Sequence, residues 1–425
     1  MTHRMTGLNV AALTLIAWAL WFGVLTGRSE LFLVTVPLLI GLVRASLGRR
    51  RPRYSLAHEI STSRLFEGDL ARVTVTLTAG SPLPQVELYE ALPPSVELAS
   101  GSNRTVLSIS EGETVRWSYE LRFQGRTRAT LGTVHVRVWE RSGLEALEAV
   151  HRDPKPVRVY PRPIPLRLLP DPLRTQTSVG NYVSAVVGEG LEPGEIRPFA
   201  PGDRVKHVNW RASLRLGRLH VTRHQEERNA DVVLILDTLT QAGAGTSTTL
   251  NASVRAAASL AGAYLVRKDR VGLVEYGGML RWVRPGSGRM QLERLLDTLL
   301  RADVTFTYVA RDLALVPPRV LPSHALVIAL SPLLDVRFIK AATDLSARGF
   351  DLVLIAVNPI PFAQASLPPS LLVETAGRFW SVKRRIQLDD LRRQGLRVLD
   401  WDPSEPVDLA LARLGRYRRR RAVAG

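Results

Sequence analysis

The chain has 425 residues, 45% of them apolar, which is enough for two or three domains and a full core beside any membrane segment. It has no cysteine, which excludes disulfides, thiol catalysis and cysteine-type zinc sites. The net charge of +18 is concentrated near the ends, with seven arginines and one acid in residues 1–53 and six arginines and no acid in residues 413–421, a placement that suits anionic lipid better than a nucleic-acid groove.

In chain order, residues 8–27 form an uncharged stretch of 20 and residues 31–48 a second apolar stretch of 18, separated only by Arg28-Ser29-Glu30. A 20-residue helix spans about 30 Å, the thickness of a bilayer's hydrocarbon layer. The only charge in the second stretch, Arg44, lies near its end, where it can snorkel. A transmembrane hairpin is therefore expected over residues 1–53. The cluster Arg49-Arg50-Arg51-Pro52-Arg53 places everything after it in the cytoplasm, with Arg4 on the same side. The expected location is the cytoplasmic (inner) membrane, as a multi-pass protein.

Residues 54–160 read as short strands. Arg72–Thr78, Thr114–Phe123 and Thr133–Trp139 alternate with period two and are separated by Gly-, Pro- and Asn-containing turns. The expectation is an antiparallel β-sandwich without a catalytic cluster. Residues 161–230 open with closely spaced prolines, Pro161, Pro163, Pro165, Pro170 and Pro172, which forbid regular helix and mark a boundary. From 231 to 425 the rhythm becomes βα. Val232–Leu236 is an unbroken apolar run, and the strand patterns Val271–Tyr276, Ala325–Leu330 and Asp351–Val357 alternate with helical stretches. This implies a parallel, doubly wound sheet with ligands beyond the C-terminal ends of its strands, near Asp237 and Ser331–Asp335.

The densest chemistry lies between Gly188 and Arg215, where Glu195, Arg197, Asp203, Arg204, Lys206, His207, Trp210, Arg211 and Arg215 surround the turn Pro201-Gly202-Asp203. By composition this is a surface loop with ion pairs, a partner site or a polar joint between domains. In the joint reading, Trp210 supplies an apolar anchor and Asp203 accepts bonds from Arg197 or Arg211. The run resembles the signature of the domain of unknown function 58 family. It matches at Gly194, Arg197, Pro201, Gly202, Asp203, Trp210, Ser213 and Arg215, with conservative changes at Phe199, Lys206, Val208 and Arg211.

That resemblance implies the architecture of hairpin, sandwich and a von Willebrand factor A-like α/β domain. It also implies a MoxR-type AAA+ ATPase as protein partner. The A-like fold often holds Mg²⁺ through Asp-x-Ser-x-Ser, a Thr and a second Asp. Here Asp237 matches, but Leu239 and Gln241 replace the two serines, while Thr307 and Asp335 fall at the other ligand positions. The expectation is no cofactor, or a weak and degenerate Mg²⁺ site. The local alternative is that Asp237 caps a turn and Asp335 caps a helix starting at Val336. No P-loop, His-Glu-x-x-His, Gly-x-Ser-x-Gly or Gly-x-Gly-x-x-Gly motif is present. The favoured function is a non-enzymatic, membrane-anchored interaction or assembly adaptor. The alternative is a metal-assisted hydrolase using Asp237 and Asp335. Membrane lipid and protein are the expected partners, and nucleic acid is not.

Overall fold

A computed structural model of the protein describes residues 2–5, 7–47, 51–139, 145–171, 182–200, 205, 208–228, 230–308 and 312–413. The chain divides into two compact units, Met1–Tyr160 and Pro161–Gly425.

The first unit begins with a short strand, β1 (Thr2–Met5), and two helices, α1 (Gly7–Thr26) and α2 (Glu30–Leu47). Leu8, Trp18, Trp21, Val24 and Leu25 of α1 are all exposed. A helix apolar on every side suits lipid as its surroundings. Among the described residues, α1 is the one helix long and apolar enough to cross a membrane, and α2 is apolar over the shorter span Glu30–Val43. A tight turn through Gly27 in the left-handed region joins the two. The helices pack so closely that a Cβ on Gly23 would lie 3.3 Å from the ring of Phe32.

Nine strands follow: β2 (Tyr54–Ile60), β3 (Arg64–Phe66), β4 (Leu70–Ala79), β5 (Leu83–Glu90), β6 (Val96–Ser100), β7 (Arg104–Ile109), β8 (Thr114–Phe123), β9 (Thr127–Trp139) and β10 (Glu145–Tyr160). One sheet runs β2-β4-β8-β6 and the other β1-β10-β9-β5-β7, with β3 parallel to the end of β10. The alternation in β4 and β8 places Val73, Val75, Leu77, Trp117, Tyr119, Leu121 and Phe123 inward. There they share one core with Val86, Leu88, Val134, Val136 and Val138 of the opposite sheet, which makes the pair of sheets a sandwich. β1 joins this body by antiparallel pairing of Thr2–Met5 with Glu145–Glu148.

One charged group interrupts the apolar interior. Glu90 is fully buried and accepts hydrogen bonds from Tyr119 Oη, from His58 Nε2 at 3.0 Å and from the Gly132 amide at 2.7 Å. Gly132 is required there, since its φ of +94° is left-handed and a Cβ would strike the Asp153 carbonyl. Burial pushes the Glu90 carboxyl up, but the bonds from His58, Tyr119 and Gly132 outweigh it and hold it below its ordinary value of 4.5.

The second unit starts with extended chain laid along its later helix α4 (Thr249–Val266). The Ile164 amide donates to Ser259 Oγ at 2.9 Å, and Tyr264 Oη donates to the Pro170 carbonyl at 2.6 Å. A two-stranded ribbon of β11 (Tyr182–Pro198) and β12 (His220–Arg228) brackets the helix α3 (Trp210–Leu216). The main sheet comprises β13 (Asp231–Thr238), β16 (Arg270–Gly277), β17 (Arg281–Gly286), β18 (Leu326–Ser331), β19 (Asp351–Val357) and β20 (Arg397–Trp401), after a tiny hairpin of β14 (Gly243–Ala244) and β15 (Ser247–Thr248). Its order is β17-β16-β13-β18-β19-β20, parallel except for the edge strand β17. The remaining helices are α5 (Arg289–Arg301), α6 (Val336–Ala347), α7 (Ile360–Ala365) and α8 (Leu371–Arg393). Phe338 and Leu345 of α6 and Leu388 and Leu391 of α8 join one core with Val233, Ile235, Val327, Ala329, Leu352 and Leu354. All eight residues of β13 are buried, so both faces of the sheet are covered.

The Glu90 cluster gives a test. Glu90→Ala strands three buried donors, and loss of each buried partner costs about 1–3 kcal/mol, so the sandwich should lose more than about 3 kcal/mol in denaturant unfolding. Because the folded carboxyl sits below its ordinary value, its contribution is present above that value and lost as pH falls through the folded one. The wild-type sandwich should therefore weaken as pH falls below about 4.5, and Glu90→Gln should flatten that slope.

Candidate functional site

The strand order reverses at β13, whose neighbours are β16 on one side and β18 on the other. At such a reversal the loops following the two adjacent strands diverge and leave a crevice at their C-terminal ends. Asp237, the penultimate residue of β13, lies buried at this point. Its Oδ2 accepts from Ser331 Oγ at 2.5 Å, and its Oδ1 accepts from the Leu239 amide at 3.0 Å. Burial pushes its carboxyl up to about 7, against the opposing pull of these two bonds.

The loop after β18 carries the rest of the site. Ser331 Oγ also accepts from the Leu333 amide at 2.9 Å. Leu333 is buried and has φ +58°, a left-handed conformation that costs a non-glycine residue about 1–3 kcal/mol. Helix α8 holds it there. The buried Arg384 donates to the carbonyls of Pro332 at 3.2 Å and Ala356 at 3.0 Å and to Asp400 at 3.0 Å, while Gln387 donates to the Leu333 carbonyl at 3.3 Å.

Asp335 caps α6 by accepting from the Arg337 amide at 2.8 Å. Both of its oxygens are also gripped by the Arg337 guanidinium, with Nε to Oδ1 at 2.9 Å and Nη2 to Oδ2 at 2.6 Å. These bonds hold the Asp335 carboxyl below its usual range. The same guanidinium donates from Nη1 to the main-chain carbonyl of Thr307 at 2.7 Å. On either side of Thr307, Phe306 and Tyr308 are 77% and 88% exposed and stack edge to face with centroids 4.9 Å apart.

The structure thus brings Asp237, Thr307 and Asp335 to one edge of the sheet and occupies each of them locally. Asp237 binds a hydroxyl and an amide, Asp335 binds an amide and a guanidinium, and Thr307 gives its carbonyl to the same guanidinium. A hard dication needs about six to eight oxygen ligands, and here a fixed positive charge already occupies both oxygens of Asp335 while Asp237 is bound by Ser331 and the Leu239 amide. The residues do not fit Mg²⁺. Among the described residues, no group of three or more His, Asp or Glu side chains is placed to hold a metal.

The residues of the signature form a separate cluster. Glu195 and Arg197 lie on β11, where Arg197 pairs with Val221 and donates from Nη1 to the Pro198 carbonyl. Pro201, Gly202 and Asp203 lie outside the described residues. Asn209 caps α3 by accepting from the Ala212 amide at 3.0 Å. Trp210 opens that helix 60% exposed and does not supply the expected apolar anchor. The helix repeat turns Trp210 and Leu214 outward together and Ser213 inward. Ser213 does the anchoring: its Oγ donates to the Asn209 carbonyl at 2.8 Å and accepts from the His220 amide at 2.8 Å. Arg211 and Arg215 are exposed. Sequence reasoning did not single out Arg337 or Arg384. No helix spacing rule points to Arg337, since residues two apart on a helix do not face each other.

Residues 195–394 match the family model described as Protein of unknown function DUF58, a stretch running from β11 to the residue after α8. The uncharacterized proteins Rv1480 of Mycobacterium tuberculosis and Mb1516 of Mycobacterium bovis are each 28% identical to this chain over 138 residues. That alignment covers 32% of this chain and 44% of each relative, so the chain spans less than half the length of the curated relatives it matches. Among solved structures, the cupredoxin domain of amoB from Nitrosocaldus yellowstonii (14% identity, 25% of this chain and 86% of that one) and the C-terminal domain of wzt (9% identity, 26% and 79%) each give a TM-score of 0.18. Scores this low bear on neither fold nor function.

The raised Asp237 value has a defined sign. The folded state holds this proton more tightly than the unfolded chain does. Stability is therefore greatest at low pH and falls as pH rises from the ordinary 3.8 through about 7. Asp237→Asn should remove that fall. It should be close to neutral at about pH 5 and stabilising at about pH 8, read as the thermal unfolding of the α/β unit. A variant that is equally destabilised at both values would contradict the assignment.

Proposed function

We propose that this protein is a membrane-anchored adaptor whose α/β unit is von Willebrand factor A-like and recruits a protein partner through the edge of the sheet beyond Asp237. The observation that carries the reading is the exposed Phe306–Tyr308 pair standing beside a locked Asp335–Arg337 pair. Exposed aromatics next to an arginine are the composition of interface hot spots, and a rigid support reduces the ordering cost of binding. The strand order, with one antiparallel edge strand, favours the A-like reading. The resemblance of the signature to its family points to a MoxR-type AAA+ ATPase as partner. The metal-assisted hydrolase has less support, because both carboxylates it would use are already bound by protein donors.

We further propose that α1 and α2 together form a two-span hairpin in the cytoplasmic membrane, with both soluble units in the cytoplasm. The antiparallel pairing of β1 with β10 supports this, since it puts the chain before α1 on the same side as the body that follows α2. The arginines at 49–53 favour the cytoplasm for that side.

Two measurements address these readings. A reporter fused after Gly425 should be active only on the cytoplasmic side, and activity outside would reverse the topology. Crosslinking from native membranes, with ATP and without it, should capture a partner that Tyr308→Ala and Phe306→Ala each reduce by at least about tenfold, the equivalent of about 1.4 kcal/mol. Equal capture by the variants would remove this surface from the function.

A further inference from the structure

We infer that Arg337 takes the place that a divalent cation holds in the metal-dependent form of such a site, so that this protein recognises a partner's carboxylate with a guanidinium and no metal. The inference rests on the A-like reading proposed above and names the chemistry by which its surface selects a partner.

The geometry supplies three parts of the argument. First, the guanidinium binds both oxygens of Asp335, the carboxylate a cation would need, and also the main-chain carbonyl of Thr307 beside it. It is a tethered cation on the first turn of α6, two residues from the acid it neutralises. The substitution of Leu239 and Gln241 for hydroxyl ligands then has a consistent meaning, since a site filled by a guanidinium has no use for them. Leu239 is buried, and only its amide serves the site, by donating to Asp237. Second, Asp237 makes no hydrogen bond to the guanidinium. Its carboxyl is taken by Ser331 and the Leu239 amide, so a single carboxylate, Asp335, is in direct contact with the positive group. Third, the guanidinium is not exhausted. It carries five N–H donors. Nε–H and one Nη2–H go to Asp335 and one Nη1–H goes to Thr307, which leaves one N–H on each terminal nitrogen without an acceptor among the described residues.

The side chain is 25% exposed. An N–H on each terminal nitrogen is the donor set with which a guanidinium binds a carboxylate. Beside them stand Phe306 and Tyr308, which offer an apolar platform. The surface therefore fits a protein partner that presents a glutamate or aspartate with an apolar residue next to it. Recognition of this kind is insensitive to free Mg²⁺.

The test uses the full chain in lipid nanodiscs and has two arms. In the first, thermal unfolding is followed in MgCl2 and in EDTA. Wild type should give the same transition in both, while Arg337→Gln, which releases Asp335, should be stabilised by Mg²⁺. Stabilisation of wild type by Mg²⁺ that Asp335→Asn abolishes would overturn the inference. So would an Arg337→Gln variant that folds and ignores Mg²⁺. In the second arm, partner capture from membranes is compared for wild type and Arg337→Lys, which keeps the charge and loses the fork. Capture should fall at least about tenfold, and unchanged capture would overturn carboxylate recognition. If wild type captures nothing, the adaptor reading fails, and the Mg²⁺ arm alone decides whether the guanidinium stands in for a cation.

Discussion

The α/β unit is organised by the complete burial of one strand. Every residue from Asp231 to Thr238 is covered on both faces, so the strand must be apolar between its ends, and each polar group at an end must find a protein partner. Asp231, at the start, is met by His324 Nε2 at 3.0 Å and Arg270 at 3.4 Å. Asp237, at the finish, is met by Ser331 and the Leu239 amide. Buried carboxylates without such partners would cost more than the strand's packing returns. The two ends differ in kind. Asp231 is balanced by the Arg270 guanidinium, whereas Asp237 is held by neutral donors and its carboxyl is pushed up. The same constraint of burial therefore yields an ion-paired end and a proton-holding end in one strand.

Two strands away from the edge, the loop Ser331–Asp335 converts that packing into a fixed site. Leu333 holds an unfavourable backbone conformation and would be expected to relax if it were free. It is not free, because Ser331 Oγ takes its amide while Gln387 takes its carbonyl and Arg384 the carbonyl of Pro332. Arg384 is itself buried, and burial lowers its value despite Asp400. A desolvated arginine is tolerated here because three acceptors surround it, two of them main-chain carbonyls. The position of Asp335, and so of Arg337, is thus set by helix α8 as much as by the strand that precedes it.

Much of this architecture was legible in the sequence because its signals are periodic. Period-two alternation at Arg72–Thr78 and Thr114–Phe123 gave the sandwich strands, and the unbroken run Val232–Leu236 gave a strand covered on both faces. The cluster of Asp237, Thr307 and Asp335 was legible as a place, since it follows from where strands of such a sheet end. Its chemistry was not. Whether a carboxylate faces a metal, a hydroxyl or an arginine depends on side chains brought together from Asp237, Ser331 and Arg337, and no spacing rule connects residues so far apart. Trp210 failed for a related reason. In a polar run a tryptophan reads as an anchor, but the first turn of α3 buries Ser213 and leaves Trp210 outside.

The sandwich and the α/β unit solve one problem in opposite ways, and the contrast bears on function. Glu90 is buried among donors from three other strands, with His58 on β2, Tyr119 on β8 and Gly132 on β9. It touches no exposed group and can only hold the two sheets in register. Asp335 is bound almost as completely, yet its partner Arg337 remains partly open and keeps donors without an acceptor among the described residues, beside an exposed aromatic pair. A charge fully enclosed by its partners serves folding alone, whereas a charge held by a partner with capacity left over can act on something outside the chain. By that criterion the interface proposed above falls at the α/β edge and not in the sandwich interior.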